Sequence, residues 1–335
     1  MIHVAQFGAG RIGQVHAANI AAHREAQLAY VVDVHAPSAK ALADQYGATV
    51  GDATGVFSDA DVDAVIVASS TDTHLDLILA AIEAGKPVFC EKPIDLSLAR
   101  VDAQLDVIEA ASVPVLIGFN RRYDVHFAGV KAAIDEGRLG DLEIVKITSR
   151  DPSPPPIEYI NVSGGLFRDM MIHDFDLARW LLGEEPVEVY ASGSCLVDAE
   201  IGEAGDVDTA AVTMKTASGR LAVIDNSRRA SYGYDQRLEA FGSKGMAKAE
   251  NVPTTTVEVW DAVDVSREKP PYFFLERYAV AYKAELDHFL SVVRGEAEAA
   301  VTARDGRQAL ALADAALESS RSGRTITPLS GGSPA

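Results

Sequence analysis

Short apolar runs alternate with helical segments along the first 120 residues of the chain. Nearly all residues within these runs are apolar, rather than every second one, which is typical of parallel strands covered on both faces. Because parallel neighbours need a crossover connection, the helical segments between the runs predict a doubly wound parallel sheet. The apolar runs lie at Ile2–Phe7, Leu28–Val32, Ala64–Ala68, Pro87–Cys90 and Val113–Gly118.

A different pattern follows Asn120. Helical spacing is now mixed with a long series of strand-like runs between residues 187 and 260. Two of these runs flank Ala217-Ser218-Gly219, which predicts a hairpin. Helices are predicted at Val125–Glu136, Leu166–Leu182, Tyr278–Arg294 and Ala303–Ser320.

Together the two patterns predict an α/β chain of two domains. Residues 1–120 are expected to form the doubly wound domain, and residues 121–335 an α+β domain built on a mostly antiparallel, open sheet. The final segment, 330–335, is rich in Gly, Ser and Pro and is expected to be mobile.

Composition and charge narrow the classes of partner. The chain of 335 residues is 48% hydrophobic and 24% charged, which is ordinary for a globular protein with one or two cores. It carries 49 acidic against 30 basic residues, a net charge of −19, so its surface repels phosphate backbones and anionic lipids. We therefore expect neither nucleic acid nor a membrane as partner. Two cysteines and an N-terminus without a signal-like segment predict a cytoplasmic protein.

A glycine-rich turn follows the first strand. Gly8-Ala9-Gly10-Arg11-Ile12-Gly13 fits the pattern G-x-G-x-x-G and opens a helix, so backbone N–H groups and the positive end of the helix dipole face one point. A pyrophosphate can bind there without a lysine. Asp33 closes the second strand, where a carboxylate accepts hydrogen bonds from an adenosine ribose and repels a 2′-phosphate. The turn predicts NAD as cofactor, against the alternative of a glycine turn without a ligand.

Polar residues also follow the third and fourth strands. The fourth strand ends in Cys90–Pro93, and ligands of an open parallel sheet bind beyond the carboxyl ends of its strands. We therefore expect Glu91 and Lys92 to face the cofactor, the alternative for Lys92 being a solvated lysine at a turn. Ser70 and His74 follow the third strand and are expected to line the same site, unless this segment only caps a helix.

Three polar residues interrupt the otherwise apolar helix predicted at Leu166–Leu182. On a continuous helix Asp169, His173 and Asp176 lie within an arc of about 60°. A buried aspartate beside a histidine orients the imidazole and supports its charged form, as a general base requires. Two alternatives are a salt-bridged helix face and a metal site made from the same three side chains. No cluster of Cys or His elsewhere in the sequence completes a usual ligand set, so we expect no metal.

Two arginines lie where the two sequence patterns meet. The segment is Asn120-Arg121-Arg122-Tyr123. Its position leaves two interpretations open for Arg122, which either contacts the substrate or ties the two domains together.

These motifs resemble the glucose–fructose oxidoreductase/inositol dehydrogenase/rhizopine-catabolism (Gfo/Idh/MocA) family over nearly the whole chain. The resemblance rests on Gly8–Gly13 with His16, on Glu91-Lys92-Pro93, on Gly118–Asp124, and on Gly164–Asp169 running on to His173. Within the family, segments 149–152 and 169–176 are most similar to bacterial inositol 2-dehydrogenases.

The resemblance implies a Rossmann domain that binds NAD and a set of site residues. Lys92, Asp169 and His173 match the catalytic positions of the family. Asp176 and a tyrosine of the stretch 232–234, which we assign to Tyr234, match contacts to the hydroxyl groups of the substrate. Some inositol dehydrogenases carry a histidine and an asparagine where this chain has Ser149 and Asp151, so the hydroxyl pattern contacted by Asp151 differs from theirs.

The implied reaction is NAD-dependent oxidation of a ring secondary alcohol of a cyclic polyol, with myo-inositol converted to 2-keto-myo-inositol. His173 takes the hydroxyl proton, Lys92 hydrogen-bonds the reacting oxygen, and Asp169 orients the imidazole. The alternatives are oxidation of scyllo-inositol or of a pyranose such as glucose, and a catalytically silent NAD sensor. Family members form dimers or tetramers through the open face of the second sheet, so a homo-oligomer is expected.

Overall fold

The computed structural model describes residues 1–329, and these form two compact units. One unit comprises Met1–Tyr123 and Ala281–Leu310, and the other comprises Asp124–Val280 and residues 311–329. The tail predicted to be mobile, 330–335, lies outside the described residues. No helix of the described part is long and apolar enough to cross a bilayer.

The element bounds are as follows. The strands are β1 (Ile2–Phe7), β2 (Ala26–Val32), β3 (Thr49–Val50), β4 (Ala64–Val67), β5 (Val88–Glu91), β6 (Val115–Gly118), β7 (Leu142–Arg150), β8 (Pro186–Ser194), β9 (Thr209–Thr216), β10 (Leu221–Ser227), β11 (Asp235–Gly242), β12 (Gly245–Ala249), β13 (Glu258–Trp260) and β14 (Val265–Arg267). The helices are α1 (Arg11–Ala22), α2 (Ala36–Tyr46), α3 (Ala53–Ser58), α4 (His74–Glu83), α5 (Leu98–Glu109), α6 (Val125–Asp135), α7 (Ile157–Ser163), α8 (Gly165–Asp169), α9 (Ile172–Leu182), α10 (Ala199–Glu203), α11 (Phe274–Arg277), α12 (Ala279–Val293) and α13 (Ala303–Ser322). Two short 3-10 helices lie at Thr71–Thr73 and Asn120–Tyr123.

The first sheet is parallel throughout, in the order β3-β2-β1-β4-β5-β6. This order confirms the doubly wound domain. Every residue of β4, β5 and β6 is buried, because helices cover both faces of the sheet. The carboxyl ends of β1, β2, β4 and β5 meet at one edge, where the order of the strands reverses.

Residues 281–310, which the sequence pattern places in the second domain, belong to the first unit. Leu286, Phe289 and Leu290 of α12 are part of the core beneath the parallel sheet. The Ile117 amide of β6 also donates to the Val301 carbonyl oxygen at 3.0 Å. Helical periodicity indicates that such a segment has an apolar face, but it does not indicate which sheet that face covers.

The second sheet has the order β12-β11-β7-β10-β9-β8, and its only parallel pair in the described chain is β7 with β10. The mostly antiparallel sheet and the β9–β10 hairpin are thereby confirmed. Helix α9 packs against β7 and β10 on one face of the sheet. On the other face, Leu221 and Val223 remain 40% and 37% exposed, whereas Ala222 and Ile224, which alternate with them along β10, are buried.

The single helix predicted from Leu166 to Leu182 is wrong in its middle. The amides of Met170 and Met171 both donate to the Leu166 carbonyl oxygen, at 3.0 and 2.9 Å, so the turn is wider than an α-helical turn. Asp169 therefore ends α8, and His173 lies in the first turn of α9. The arc calculated for a continuous helix does not apply. Apolar periodicity misses this break because the residues on both sides remain apolar and helical.

Candidate functional site

The glycine turn after β1 is shaped by backbone contacts. Gly8 has φ +103°, and a Cβ atom there would lie 2.2 Å from the Ala68 carbonyl oxygen at the end of β4. A Cβ on Gly13 would lie 2.2 Å from the Gly8 carbonyl oxygen. The first glycine therefore permits the turn, and the third permits the close packing of α1 on it.

The N-terminus of α1 fits the phosphates of a dinucleotide. A Cβ on Gly10 would meet no atom within 4 Å, so open space lies where the second glycine of the motif stands. Gly10 caps α1 without a side-chain hydrogen bond, and the first turn of this helix of 12 residues contains no acidic residue. Arg11 and Gly10 are exposed at this position. The amides and the positive helix dipole are thus directed at a space that an anion can enter.

Two polar side chains hold the turn in place. The buried Gln6 donates through Nε2 to the carbonyl oxygens of Gly8 and Gly13, both at 2.8 Å. Asp33 accepts from the Ala9 amide at 2.6 Å and from the His35 amide at 2.7 Å. A carboxylate has about four acceptor positions, so Asp33 retains capacity for ribose hydroxyl groups. Gln6 was not predicted from the sequence, although a polar residue between two apolar residues of a strand is a signal for it.

The other predicted cofactor residues of the first unit lie at the same edge of the sheet. Lys92 follows β5 directly and is half-buried, and Ser70 follows β4 and is exposed. His74 is buried, with Nδ1 2.8 Å from the Pro93 carbonyl oxygen and Nε2 3.1 Å from that of Ser69. Its ring therefore links the backbones that follow β4 and β5, and this contact orients the segment that carries Lys92.

Two glutamates of the first unit are buried, Glu91 at the end of β5 and Glu285 of α12. His16 Nε2 is 2.7 Å from Glu91 Oε1, and both residues are buried. Glu285 of α12 is completely buried, and neither of its carboxyl oxygens has a hydrogen-bond partner within residues 1–329. Burial, reinforced by the negative charge of Glu91, raises the pKa of Glu285 well above its ordinary value. Sequence reasoning did not single out Glu285, because nothing local distinguishes it from a surface glutamate of a helix.

We expect Glu285→Gln to remove a pH dependence of stability. A carboxyl with a raised pKa in the folded state favours folding fully only below its unfolded pKa of about 4.5. As the pH rises from there, the unfolded chain loses the proton first and the free energy of unfolding decreases. We therefore expect the Tm of Glu285→Gln minus the Tm of the wild type to increase from pH 4.5 to pH 8, as measured by thermal unfolding. Glu276→Gln, on the preceding short helix, serves as the control, and equal pH slopes for wild type and Glu285→Gln would contradict the expectation.

Arg122 forms an ion pair within the first unit. Its Nη2 lies 2.9 Å from Asp305 Oδ1 at the start of α13, and Nη1 lies 3.3 Å from the Ala300 carbonyl oxygen. These contacts tie the end of β6 to residues 300–305. Contact of Arg122 with a substrate stays a prediction.

In the second unit, register brings several predicted residues to one edge of the sheet. Arg150 pairs with Ser227 of the parallel neighbour β10 and with Asp235 of the antiparallel neighbour β11. The residues just beyond these pairs, Asp151, Arg228 and Tyr234, therefore lie at the same edge. Asp151 donates its amide to the Ser227 carbonyl oxygen at 2.9 Å. Its half-buried side chain and the buried Tyr234 stay predicted substrate contacts.

Asp169 is held from two sides. The Tyr159 hydroxyl of α7 donates to Asp169 Oδ1 at 2.9 Å, and Arg228 Nη2 lies 3.5 Å from Oδ2. His173 is half-buried in the first turn of α9. Both Asp169 and His173 thus belong to the second unit, whereas Lys92 belongs to the first. Tyr159 and Arg228 were missed because both lie on elements other than the helix that carries Asp169.

The two acidic residues of α9 are more deeply buried than His173. Asp176 is completely buried and lies 3.9 Å from Arg179 Nη1. Asp174, also fully buried, accepts a hydrogen bond of 2.9 Å from Asn226 Nδ2 of β10. Asp174 thereby fastens α9 to the sheet, and contact of Asp176 with a substrate stays a prediction. Within residues 1–329, no group of three or more His, Cys, Asp or Glu is arranged to hold a metal ion.

Two protein-family models match the chain. The model described as "Oxidoreductase family, NAD-binding Rossmann fold" matches residues 2–119, and the model described as "GFO/IDH/MocA C-terminal domain" matches residues 127–248. The first match covers the whole parallel sheet, and the second covers most of the other sheet.

The similarity to two proteins of known name extends over nearly the full chain. The chain is 49% identical to "Inositol 2-dehydrogenase" of Rhizobium meliloti. The 320 aligned residues cover 96% of this chain and 97% of that protein. It is 47% identical over 327 residues to "Myo-inositol 2-dehydrogenase" of Thermotoga maritima, covering 97% of this chain and 98% of that protein.

Solved structures agree with these similarities. A myo-inositol dehydrogenase from Corynebacterium glutamicum superposes with a TM-score of 0.93 at 46% identity, covering 98% of both chains. A scyllo-inositol dehydrogenase from Lactobacillus casei, solved with bound NAD(H) and scyllo-inositol, superposes with a TM-score of 0.90 at 31% identity, covering 98% of this chain and 99% of that chain.

Proposed function

Because this chain belongs to the GFO/IDH/MocA oxidoreductase family with its NAD-binding Rossmann fold, we propose that it oxidises a ring secondary alcohol of a cyclic polyol, with C2 of myo-inositol as the preferred position. The observation that carries the proposal is 49% identity over 96% of the chain with a protein named inositol 2-dehydrogenase. That similarity extends across both units, so it includes the residues proposed to contact the substrate as well as those proposed to bind the cofactor.

The first unit supplies the residues for the cofactor. We propose that the amides of the turn Gly8–Gly13, with Arg11 and Ile12 at the start of α1, bind the pyrophosphate, and that Asp33 accepts hydrogen bonds from the adenosine ribose. Ser70, His74 and Glu91 shape the same edge of the sheet. When bound, NAD supplies the two-electron acceptor for oxidation of the alcohol.

The protein's own side chains supply the acid–base chemistry. Lys92 donates a hydrogen bond to the reacting oxygen and stabilises the negative charge that develops there. His173 accepts the hydroxyl proton, and Asp169 orients the imidazole and stabilises its charged form. Arg122, Asp151, Asp176 and Tyr234 are proposed as contacts to the other hydroxyl groups of the ring.

Initial rates across a panel of ring polyols test the proposed substrate. With NAD, we expect the largest kcat/KM for myo-inositol and smaller values for scyllo-inositol, D-glucose and D-xylose. A larger kcat/KM for scyllo-inositol or glucose would replace myo-inositol as the substrate while leaving the reaction class intact. NAD binding without turnover of any of these compounds would instead favour a silent NAD sensor.

Asp33→Ala is expected to weaken NAD binding and relax discrimination against NADP. Removing the carboxylate removes both its acceptor positions for the ribose and its repulsion of a 2′-phosphate. Discrimination by a polar contact of this type is worth roughly 10-fold or more in kcat/KM. The ratio of kcat/KM for NAD and NADP measures it. Asp52→Ala, at the cap of α3, is the control, and an unchanged ratio in Asp33→Ala would refute the ribose assignment.

The open face of the second sheet supports a proposed homo-oligomer, a dimer or a tetramer. Met246, Phe241, Ile144 and Leu221 form a continuous apolar row across β12, β11, β7 and β10. Three of them are 40–48% exposed, and an apolar face of this kind is typical of a surface that another chain covers. A monomer mass in sedimentation velocity would contradict the oligomer. We also infer a cytoplasmic location, consistent with two free thiols, Cys90 and Cys195.

A further inference from the structure

A completely buried arginine faces the carboxylate assigned to orient the general base. Arg228 follows β10 directly and its side chain is 1% exposed. Its Nη2 atom lies 3.5 Å from Asp169 Oδ2 and 3.9 Å from Asp206 Oδ2. All three residues belong to the second unit, so the cluster is complete within one compact body.

The position of this guanidinium costs the fold free energy. Nε and Nη2 of Arg228 are buried and donate no hydrogen bond within residues 1–329. An arginine cannot give up its proton, so a buried one needs anionic neighbours, and donors that stay unsatisfied are unfavourable. Hydrogen bonds from Nε and Nη2 therefore do not explain the burial of Arg228, whereas its fixed positive charge lies beside two carboxylates.

Of those two carboxylates, Asp206 already binds the backbone at the start of α8. Both of its oxygens accept from the Leu166 amide, at 3.1 and 3.0 Å, at the start of α8. Asp169 lies at the other end of the same helix, where Oδ1 accepts from the Tyr159 hydroxyl and Oδ2 faces Arg228. Arg228 thus contacts the carboxylate from the side opposite the Tyr159 hydroxyl, on the other oxygen.

The backbone of Arg228 is fixed by a network of its own. Its amide donates to the Asp208 carbonyl oxygen at 2.8 Å. The Asp208 side chain in turn accepts from the amides of Leu196, Val197 and Asp198 at 2.8–3.0 Å. These hydrogen bonds fix the backbone from which the guanidinium extends. A residue that orients another side chain needs such a fixed backbone.

We propose that Arg228 is a positioning residue for the oxidation: it holds the Asp169 carboxylate from the Oδ2 side and acts on the reaction through Asp169 alone. The inference rests on the proposed function, because Asp169 has its assigned role only if the chain is a dehydrogenase. Contacts at an active site that are long in the absence of ligand commonly tighten in the substrate complex, and the buried donors of Arg228 would be satisfied in that way.

A double-mutant cycle between Arg228 and Asp169 tests the proposal. Arg228→Met should lower kcat for the best polyol by about 10- to 100-fold with little change in KM for NAD, and Arg228→Lys, which keeps the charge, should recover part of the loss. In the Asp169→Asn background, Arg228→Met should change kcat by less than about twofold, because the group through which it acts is gone. Arg229→Met, the exposed neighbour, is the matched control and should leave kcat unchanged.

The outcomes separate the inference from the proposed function. Equal losses of kcat from Arg228→Met in the wild-type and Asp169→Asn backgrounds would mean that Arg228 acts on the fold in general, and would overturn the inference alone. A wild-type enzyme that turns over no polyol would overturn the proposed function and the inference with it. If Arg228→Met fails to fold, the same cycle is measured with Arg228→Lys. Equal losses of kcat from Arg228→Lys in the wild-type and Asp169→Asn backgrounds would likewise overturn the inference.

Discussion

His173→Asn is expected to lower kcat by about 10²–10⁴-fold while NAD still binds with wild-type affinity. The imidazole is the group proposed to accept the hydroxyl proton, and general base catalysis contributes a factor of this size. Asparagine keeps a polar side chain of similar shape but cannot take up a proton. Initial rates with saturating myo-inositol and NAD measure kcat, and titration of NAD in the absence of polyol measures the cofactor affinity.

Matched variants make this result specific. His126→Asn changes an exposed histidine of α6 in the same unit and should leave kcat unchanged. Lys92→Met should produce a loss similar to that of His173→Asn, since the developing charge on the oxygen loses its hydrogen-bond donor. A near-normal kcat/KM of either His173→Asn or Lys92→Met on the best polyol would show that the corresponding role is assigned wrongly.

Gly8→Ala is expected to abolish NAD binding and to lower the free energy of unfolding by about 2–6 kcal/mol. The added Cβ would lie 2.2 Å from the Ala68 carbonyl oxygen, and the backbone at φ +103° disfavours any side chain. Strain of this kind costs about 1–3 kcal/mol, and overpacking against a backbone atom adds about 1–3 kcal/mol. Urea unfolding measures the stability, and NAD titration of the folded fraction measures binding.

Two other glycines separate the causes. Gly47→Ala places a side chain at φ +69° with no atom within 4 Å, so it should cost only about 1 kcal/mol and leave NAD binding intact. Gly10→Ala meets no protein atom either, but it fills the space beside the α1 amides. It should lower NAD affinity without lowering stability. Wild-type NAD affinity in Gly10→Ala would remove the turn from the cofactor site.

The candidate residues of the first unit could be found in the sequence because they follow strands. A polar residue directly after an apolar run lies at the carboxyl edge of a parallel sheet, whatever else the chain does. Lys92 and Asp33 were located by this rule, and the structure has each of them directly after its strand, β5 and β2. Gln6 was overlooked because its role depends on two carbonyl oxygens that the turn brings back over it.

In the second unit, the contacts of the candidate residues could not be predicted from their spacing along the sequence. Asp169 and His173 were singled out from helical spacing, but the helix between them is broken by a wider turn at Met170 and Met171. The partners of Asp169, Tyr159 and Arg228, come from segments 10 residues before it and far after it. Spacing along one helix cannot report partners of this kind, because Tyr159 lies on α7 and Arg228 directly follows β10.

Local patterns were thus sufficient for the alternation of strands and helices, the glycine turn, the strand ends that carry polar residues, and the resemblance to a family. Each of these depends on interactions between residues close in sequence or on the periodicity of one element. Three features required the folded chain: the packing of α12 on the first core, the burial of Glu285 near the charge of Glu91, and the seating of Arg228 against Asp169. These features arise from contacts between distant segments. Packing in the folded chain determines which groups surround a buried charge, and the effect of that charge depends on those groups.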